Sequence, residues 1–122
     1  MLTPFRQDTN SLFLTKRLNE LGVEVAFKTV VGDNHGQLVN VARTALGRAN
    51  ILIFTGGLGP TEDDLTRECV AEALGIELKR DPDLVAELYA RFAQRRIKMP
   101  ETNLKQADVL AGADIIRNPR GS

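Results

Sequence analysis

The sequence predicts an α/β fold, three layers with helices on both faces of a mostly parallel sheet, from three observations. The unbroken apolar run Ile51–Phe54 suits a strand buried on both faces. Gly56, Gly57 and Gly59, followed by Pro60, are too dense for any helix or strand, so the chain must turn sharply there with bare backbone facing outward. Finally, helix, strand, helix, strand and helix patterns alternate with short connections, the arrangement that right-handed crossovers produce. Ligands of such folds sit outside the carboxyl ends of the strands, where Thr55–Asp64 and Gly32-Asp33 both fall.

Each element has a local reason. Met1–Gln7 shows no period, and Pro4 discourages regular structure. Asp8, Thr9 and Asn10 offer caps for a first helix with Leu14, Leu18 and Leu21 on one face, stopped at Gly22. Val23–Val31 alternates apolar and charged residues and reads as a strand near a sheet edge. Asn34 and Gln37 give a capping-box pattern ahead of a second helix bearing Leu38, Val41, Ala42, Ala45 and Leu46, closed by Gly47. After the glycine loop, Glu62, Asp63 and Asp64 are expected in the first turn of a third helix that stops at Gly75. Ile76–Leu78 is a short strand candidate. Asp81 caps and Pro82 opens a fourth helix with Val85, Leu88, Tyr89 and Phe92 on its apolar face. Its far end, with Arg91, Arg95, Arg96 and Lys98, reads as a solvated terminus whose cations suit the helix dipole. Thr102 or Asn103 is expected to cap a short helix through Ala107, and Ile115-Ile116 to form a last strand fragment before the turn Asn118–Ser122. The expected core includes Leu14, Leu18, Leu38, Ile51, Ile53, Leu65, Leu74, Leu88 and Phe92.

Composition narrows the function classes. At 122 residues the chain is one domain long, with 16 basic and 16 acidic side chains. That balance argues against a nucleic-acid binder, which would show a basic excess, and 5% aromatic content with no Trp argues against a base-stacking platform. One cysteine excludes an internal disulfide and fits a reducing, cytoplasmic setting. No apolar run approaches the roughly 18 residues of a membrane span, and no signal peptide opens the chain.

The chemistry concentrates in ILIFTGGLGPTEDDLTRE, Ile51–Glu68. Strand, glycine loop and helix start together make an anion-binding device, with free N–H groups lining a loop that large groups approach closely. No Lys follows the last glycine, so it is not a Walker A loop, and the dinucleotide fingerprint lacks its third glycine. A phosphate-type ligand fits this pattern better than a bare tight turn does. Asp63 reads as an N-terminal helix acid, His35 as a solvated turn residue and Cys69 as a core residue.

Thr55–Glu68, TGGLGPTEDDLTRE, resembles the signature of the molybdopterin-binding (MoaB/MogA-like) domain, in the version found at the N-terminus of CinA, the competence/damage-inducible protein. DTNSLFL (8–14), TVVGDN (29–34), MPETNLKQA (99–107) and NPRG (118–121) match in the same order. The resemblance implies a three-layer molybdopterin-binding-type fold and a phosphate or nucleotide held at Thr55, Gly56, Gly57, Leu58 and Gly59, with Asn103, Lys105 and Asn118 contributing to binding. It implies a functional acid at Asp64 and a divalent metal (Mg²⁺, Mn²⁺ or Co²⁺) on Asp64 with Asp33 as helper. The CinA-type domain is associated with metal-dependent hydrolysis of ADP-ribose to AMP and ribose 5-phosphate; a pterin- or nucleotide-binding module without turnover is the alternative. The expected partners are a small-molecule nucleotide or pterin phosphate and further copies of the chain in a homo-oligomer. The family's opening strand with its G-[DT]-E-[LI]-L-x-G turn, and its continuation past NPRG, have no counterpart here. An incomplete domain, with strand edges left open and activity lost, is therefore a further expectation.

Overall fold

A computed structural model describes residues 9–120. The candidate cap Asp8, the reading of Met1–Gln7 and the end of the last turn, Gly121-Ser122, lie outside those residues. The described elements run α1 (Thr9–Glu20), α2 (His35–Leu46), α3 (Thr66–Leu74), β1 (Leu78–Arg80), α4 (Pro82–Gln94), a 3₁₀ helix (Glu101–Ala107) and β2 (Asp108–Leu110). Helices and a small sheet make this an α/β chain.

The helices form where caps and apolar period agree. Asn34 accepts a hydrogen bond from the Gln37 N–H at 3.0 Å to open α2, and Asp81 accepts one from the Leu84 N–H at 2.9 Å to open α4, with Pro82 just inside. Gly22 (φ 78°) and Gly75 (φ 66°) end α1 and α3 in the left-handed conformation that glycine adopts without strain. Thr9 and Asn10, candidates for caps, fall inside α1.

The sheet differs from the prediction. Among the described residues it has two strands, β1 and β2, antiparallel, with Leu78 opposite Leu110 and Arg80 opposite Asp108. Ile51–Phe54 is not a strand: Ile51 is 65% and Ile53 51% exposed, and the run makes no hydrogen bond through its backbone to another described residue. Val23–Val31 is likewise unpaired, with Phe27 and Val30 exposed, and so is Ile115-Ile116. An apolar run becomes a strand only when a neighbour satisfies its backbone N–H and C=O groups, and no described segment pairs with these three through its backbone. The strand candidate at Ile76–Leu78 begins two residues later, at Leu78.

The core lies in the second half of the chain. Leu88 of α4, Met99 and Ala107 are buried together, with Leu84, Val85, Phe92 and Leu104 packed against them. A second contact joins α2 to α3, where Val39 and Ala42 on one helix and Cys69 and Ala71 on the other are buried. Of the expected core, Leu88 is buried; Leu14, Leu18, Leu38, Leu65 and Phe92 are half-buried, and Ile51, Ile53 and Leu74 are exposed. The Asp81 N–H donates to the Ala107 carbonyl at 2.9 Å, tying the start of α4 to the end of the 3₁₀ helix.

Candidate functional site

The glycine loop is held by the start of α3. The Thr66 hydroxyl donates to the Gly56 carbonyl at 2.7 Å, the Thr66 N–H to the Gly57 carbonyl at 3.2 Å, and the Arg67 guanidinium to the Leu58 carbonyl at 2.8 Å. Three successive carbonyls are therefore turned toward the helix. The N–H groups of Gly56, Gly57 and Leu58 make no hydrogen bond with a described residue. Glycine is required at two places: a Cβ on Gly57 would come within 2.2 Å of the Thr66 hydroxyl, and one on Gly59 within 2.6 Å of the Asp64 carboxylate. Thr55 precedes the loop and is exposed.

Asp64 does not sit in the first turn of α3. The helix opens at Thr66 with Leu65 as its cap residue, and its first-turn acid is Glu68. Asp63 and Asp64 belong to the preceding turn, closed by the Asp64 N–H on the Thr61 carbonyl at 3.1 Å. The Asp64 carboxylate folds back onto Thr61, accepting from its hydroxyl at 2.7 Å and its N–H at 3.0 Å. The Thr61 hydroxyl, then the Thr61 N–H, hold this carboxyl below the ordinary carboxylate value, helped by the Gly59 N–H and the charge of Lys105 against the opposing effect of burial. The Gly59 N–H, expected as a phosphate donor, is thus directed at the Asp64 carboxylate.

Lys105 reaches this turn from the 3₁₀ helix. Its ammonium donates to the Thr61 carbonyl and, at 2.6 Å, to the Asp64 carbonyl, with Glu68 3.7 Å away. Lys105 therefore clamps the backbone that carries Asp64, a role narrower than the free phosphate charge expected of it. Glu68 is a residue the sequence reading missed: its Oε2 is buried without a hydrogen-bond partner beside this cluster. Its position in the first turn of α3 was the available signal.

The remaining candidates lie elsewhere. Asp33 is exposed in the turn before α2, on a different part of the chain from the turn that carries Asp64. Asn103 donates to Gln106 at 3.0 Å and lines a cavity with Arg91, Phe92 and Arg95 at the end of α4. Asn118 accepts from the Arg120 N–H through its side chain and from Arg91 through its carbonyl, at 3.0 and 3.1 Å. His35 is not simply solvated. Its Nε2 meets the Glu72 carboxylate and its Nδ1 lies 3.5 Å from the Cys69 sulfur. Cys69 is core, 1% exposed, and burial first, then Glu68 and Glu72, push its thiol up, away from a reactive thiolate.

A divalent metal fits these residues only as a companion of bound phosphate. Asp64 offers one oriented carboxylate, and no group of three or more His, Cys, Asp or Glu among the described residues is placed to hold an ion. Magnesium commonly keeps several waters and uses one or two carboxylates with substrate phosphates, a coordination such a donor set allows. No helix among the described residues is long and apolar enough to cross a membrane.

Comparison with known proteins agrees with this architecture. The chain is 70% identical over its full length to a CinA-like protein from Koribacter versatilis, of which it covers 30%. It is 50% identical over 114 residues to a putative competence-damage inducible protein from a Geobacillus species, of which it covers 27%. The chain thus spans under a third of these relatives. In structure it is similar to the crystal structure of the protein CinA with unknown function from Thermoplasma acidophilum, with a TM-score of 0.85, 31% identity, and 95% of this chain and 68% of that one covered. A model of the probable molybdopterin binding domain matches residues 2–117, and the chain belongs to that family.

Proposed function

We propose that the Thr55–Gly59 loop and Asp64 hold the diphosphate of a nucleotide, and that the domain hydrolyses ADP-ribose to AMP and ribose 5-phosphate with a divalent metal on Asp64. The observation that carries this reading is the pinning of the Gly56, Gly57 and Leu58 carbonyls to α3, which leaves three adjacent N–H groups open to an anion. Likeness to CinA-type proteins over the whole chain favours this ligand class. A three-layer arrangement around a mostly parallel sheet belongs to the same proposal; it would require strands beyond the antiparallel pair β1 and β2.

In this mechanism the loop N–H groups bind and orient the phosphate oxygens. Asp64, kept ionised by Thr61, holds negative charge beside them, and Lys105 fixes the backbone on which that carboxylate is carried. Water adds to one phosphorus, its proton is lost to solvent, and the bridging oxygen leaves with the other phosphate. A divalent metal, when bound at Asp64, would neutralise phosphate charge and lower the pKa of bound water. Asn103 and Asn118, which line cavities beside α4, would contact the part of the ligand beyond the loop.

A second reading, binding of a pterin or nucleotide phosphate without turnover, is favoured by one observation: Asp64 already spends its Oδ2 on two donors of Thr61. Incubation with ADP-ribose and Mg²⁺, Mn²⁺ or Co²⁺, followed by separation of nucleotides, distinguishes the two. Appearance of AMP with ribose 5-phosphate is expected. Binding of ADP-ribose with no AMP formed would establish the second reading instead.

A further inference from the structure

The Leu58–Gly59 peptide is held at both of its polar ends. The Arg67 guanidinium donates to the Leu58 carbonyl at 2.8 Å. The N–H of the same peptide belongs to Gly59. In a planar trans unit it points away from that carbonyl, and here it meets the Asp64 carboxylate. The approach is close, since a Cβ on Gly59 would come within 2.6 Å of an Asp64 carboxylate oxygen. The two preceding peptides are held through their carbonyls alone, by the hydroxyl and the N–H of Thr66. Gly59 is thus the loop donor spent on the acid, and Arg67 stands at the far end of the peptide that carries it.

Arg67 is suited to fixing that peptide. It is half-buried in the first turn of α3. Burial lowers its pKa, the charges of Glu68, Asp108 and Asp64 oppose that effect, and an arginine stays cationic at any working pH. A cation on the carbonyl side polarises the peptide and makes its N–H a stronger donor, as along any chain of hydrogen bonds. Lys105 acts differently. It grips the Thr61 and Asp64 carbonyls and so fixes the Asp64 backbone, whereas Arg67 reaches the carboxylate through the loop.

We infer that Arg67 is a positioning residue of Asp64, acting through the Leu58–Gly59 peptide to fix the carboxylate against the glycine loop. It turns the Gly59 N–H onto the acid, so that the Gly57 and Leu58 N–H groups are left to an anion with the acid held beside them. This deepens the reading that the loop and Asp64 form one phosphate site, and rests on it.

Backbone amide NMR of the ligand-free full chain tests the inference, with Arg67→Gln, Arg67→Lys, Asp64→Asn and the double variants compared and thermal midpoints recorded. Arg67→Gln should move the Gly59 amide proton upfield, as a weakened hydrogen bond does, while the Gly47 amide at the end of α2 keeps its place. Arg67→Lys keeps the charge but loses the planar fork, and should move the Gly59 amide less, in the same direction. Both shifts should shrink by about half or more in the Asp64→Asn background, because the two side chains act on one peptide. If Arg67→Gln does not fold, Arg67→Lys carries the same comparison alone. With pyrophosphate as the probe and Mg²⁺ present, Arg67→Gln should bind about tenfold more weakly, the loss expected from one charge-assisted hydrogen bond, and Arg67→Lys should recover most of it. Failure of the unaltered protein to bind pyrophosphate would remove the phosphate reading of the loop, and the Gly59 amide would still decide the role of Arg67. A Gly59 amide unmoved by both Arg67 variants, or moved equally with and without the Asp64 charge, would overturn the inference.

Discussion

Asp64 stands out in the sequence by its place after a glycine loop, but its actual setting depends on Thr61, three residues earlier. The local pattern placed this acid on a helix; Leu65 takes the cap position instead and leaves Asp64 in the turn before it. Its carboxyl is held below the ordinary value of 3.8, first by the Thr61 hydroxyl. A carboxylate with a depressed folded value contributes stability that is present above its ordinary value and lost as pH falls through the lower folded one. The turn should therefore stay intact through mildly acidic pH and loosen only below the usual carboxylate range. Thr61→Val removes the largest cause and should raise the Asp64 value toward 3.8 in a carboxyl-carbon NMR titration. An unchanged titration would show that the hydroxyl does not hold the carboxylate. Lys105, by contrast, was legible as a cation near phosphate but not as a clamp, because its partners are backbone carbonyls more than forty positions away.

Elements that carry their own caps were readable; those that need a neighbour were not. Asn34, Asp81, Pro82, Gly22 and Gly75 each mark a boundary with a local hydrogen bond or backbone preference, and the helices follow. Leu88 is the clearest element-level anchor, buried between α4 and the 3₁₀ helix. Leu88→Ala should cost about 3 kcal/mol, measured by denaturant unfolding; a loss under about 1 kcal/mol would mean that this cluster is not the core. The end of α4 carries an anomaly. Arg96 takes φ 55° in the position where α1 and α3 use glycine, with the Ile97 N–H returning to Phe92 at 3.1 Å. Arg96→Gly trades relief of left-handed strain against a more flexible unfolded chain and should stabilise by about 0.5 kcal/mol. Destabilisation would show that the Arg96 side chain makes a contact worth more than its backbone costs.

At the scale of the molecule, the strand pattern was legible as apolar sequence but not as pairing. Ile51–Phe54 and Val23–Val31 have strand composition, yet hydrogen bonding to a neighbour is a property of the whole assembly and no periodicity in the chain reports it. Exposed apolar segments with open backbone groups favour association, so the chain should sediment as more than a monomer at tens of micromolar, roughly where weak interfaces register. A single monomeric species there would count against it. The central claim, that the glycine loop and Asp64 form a phosphate-cleaving site, is tested most directly by AMP release from ADP-ribose in the presence of divalent metal. The unaltered protein, Asp64→Asn and Asp63→Asn are compared, with thermal midpoints recorded alongside. Asp64→Asn should lose on the order of 100-fold in rate, comparable to losing one preorganised contact to the transition state, with its fold intact, while Asp63→Asn loses little. Equal rates for Asp64→Asn and the unaltered protein would contradict the claim.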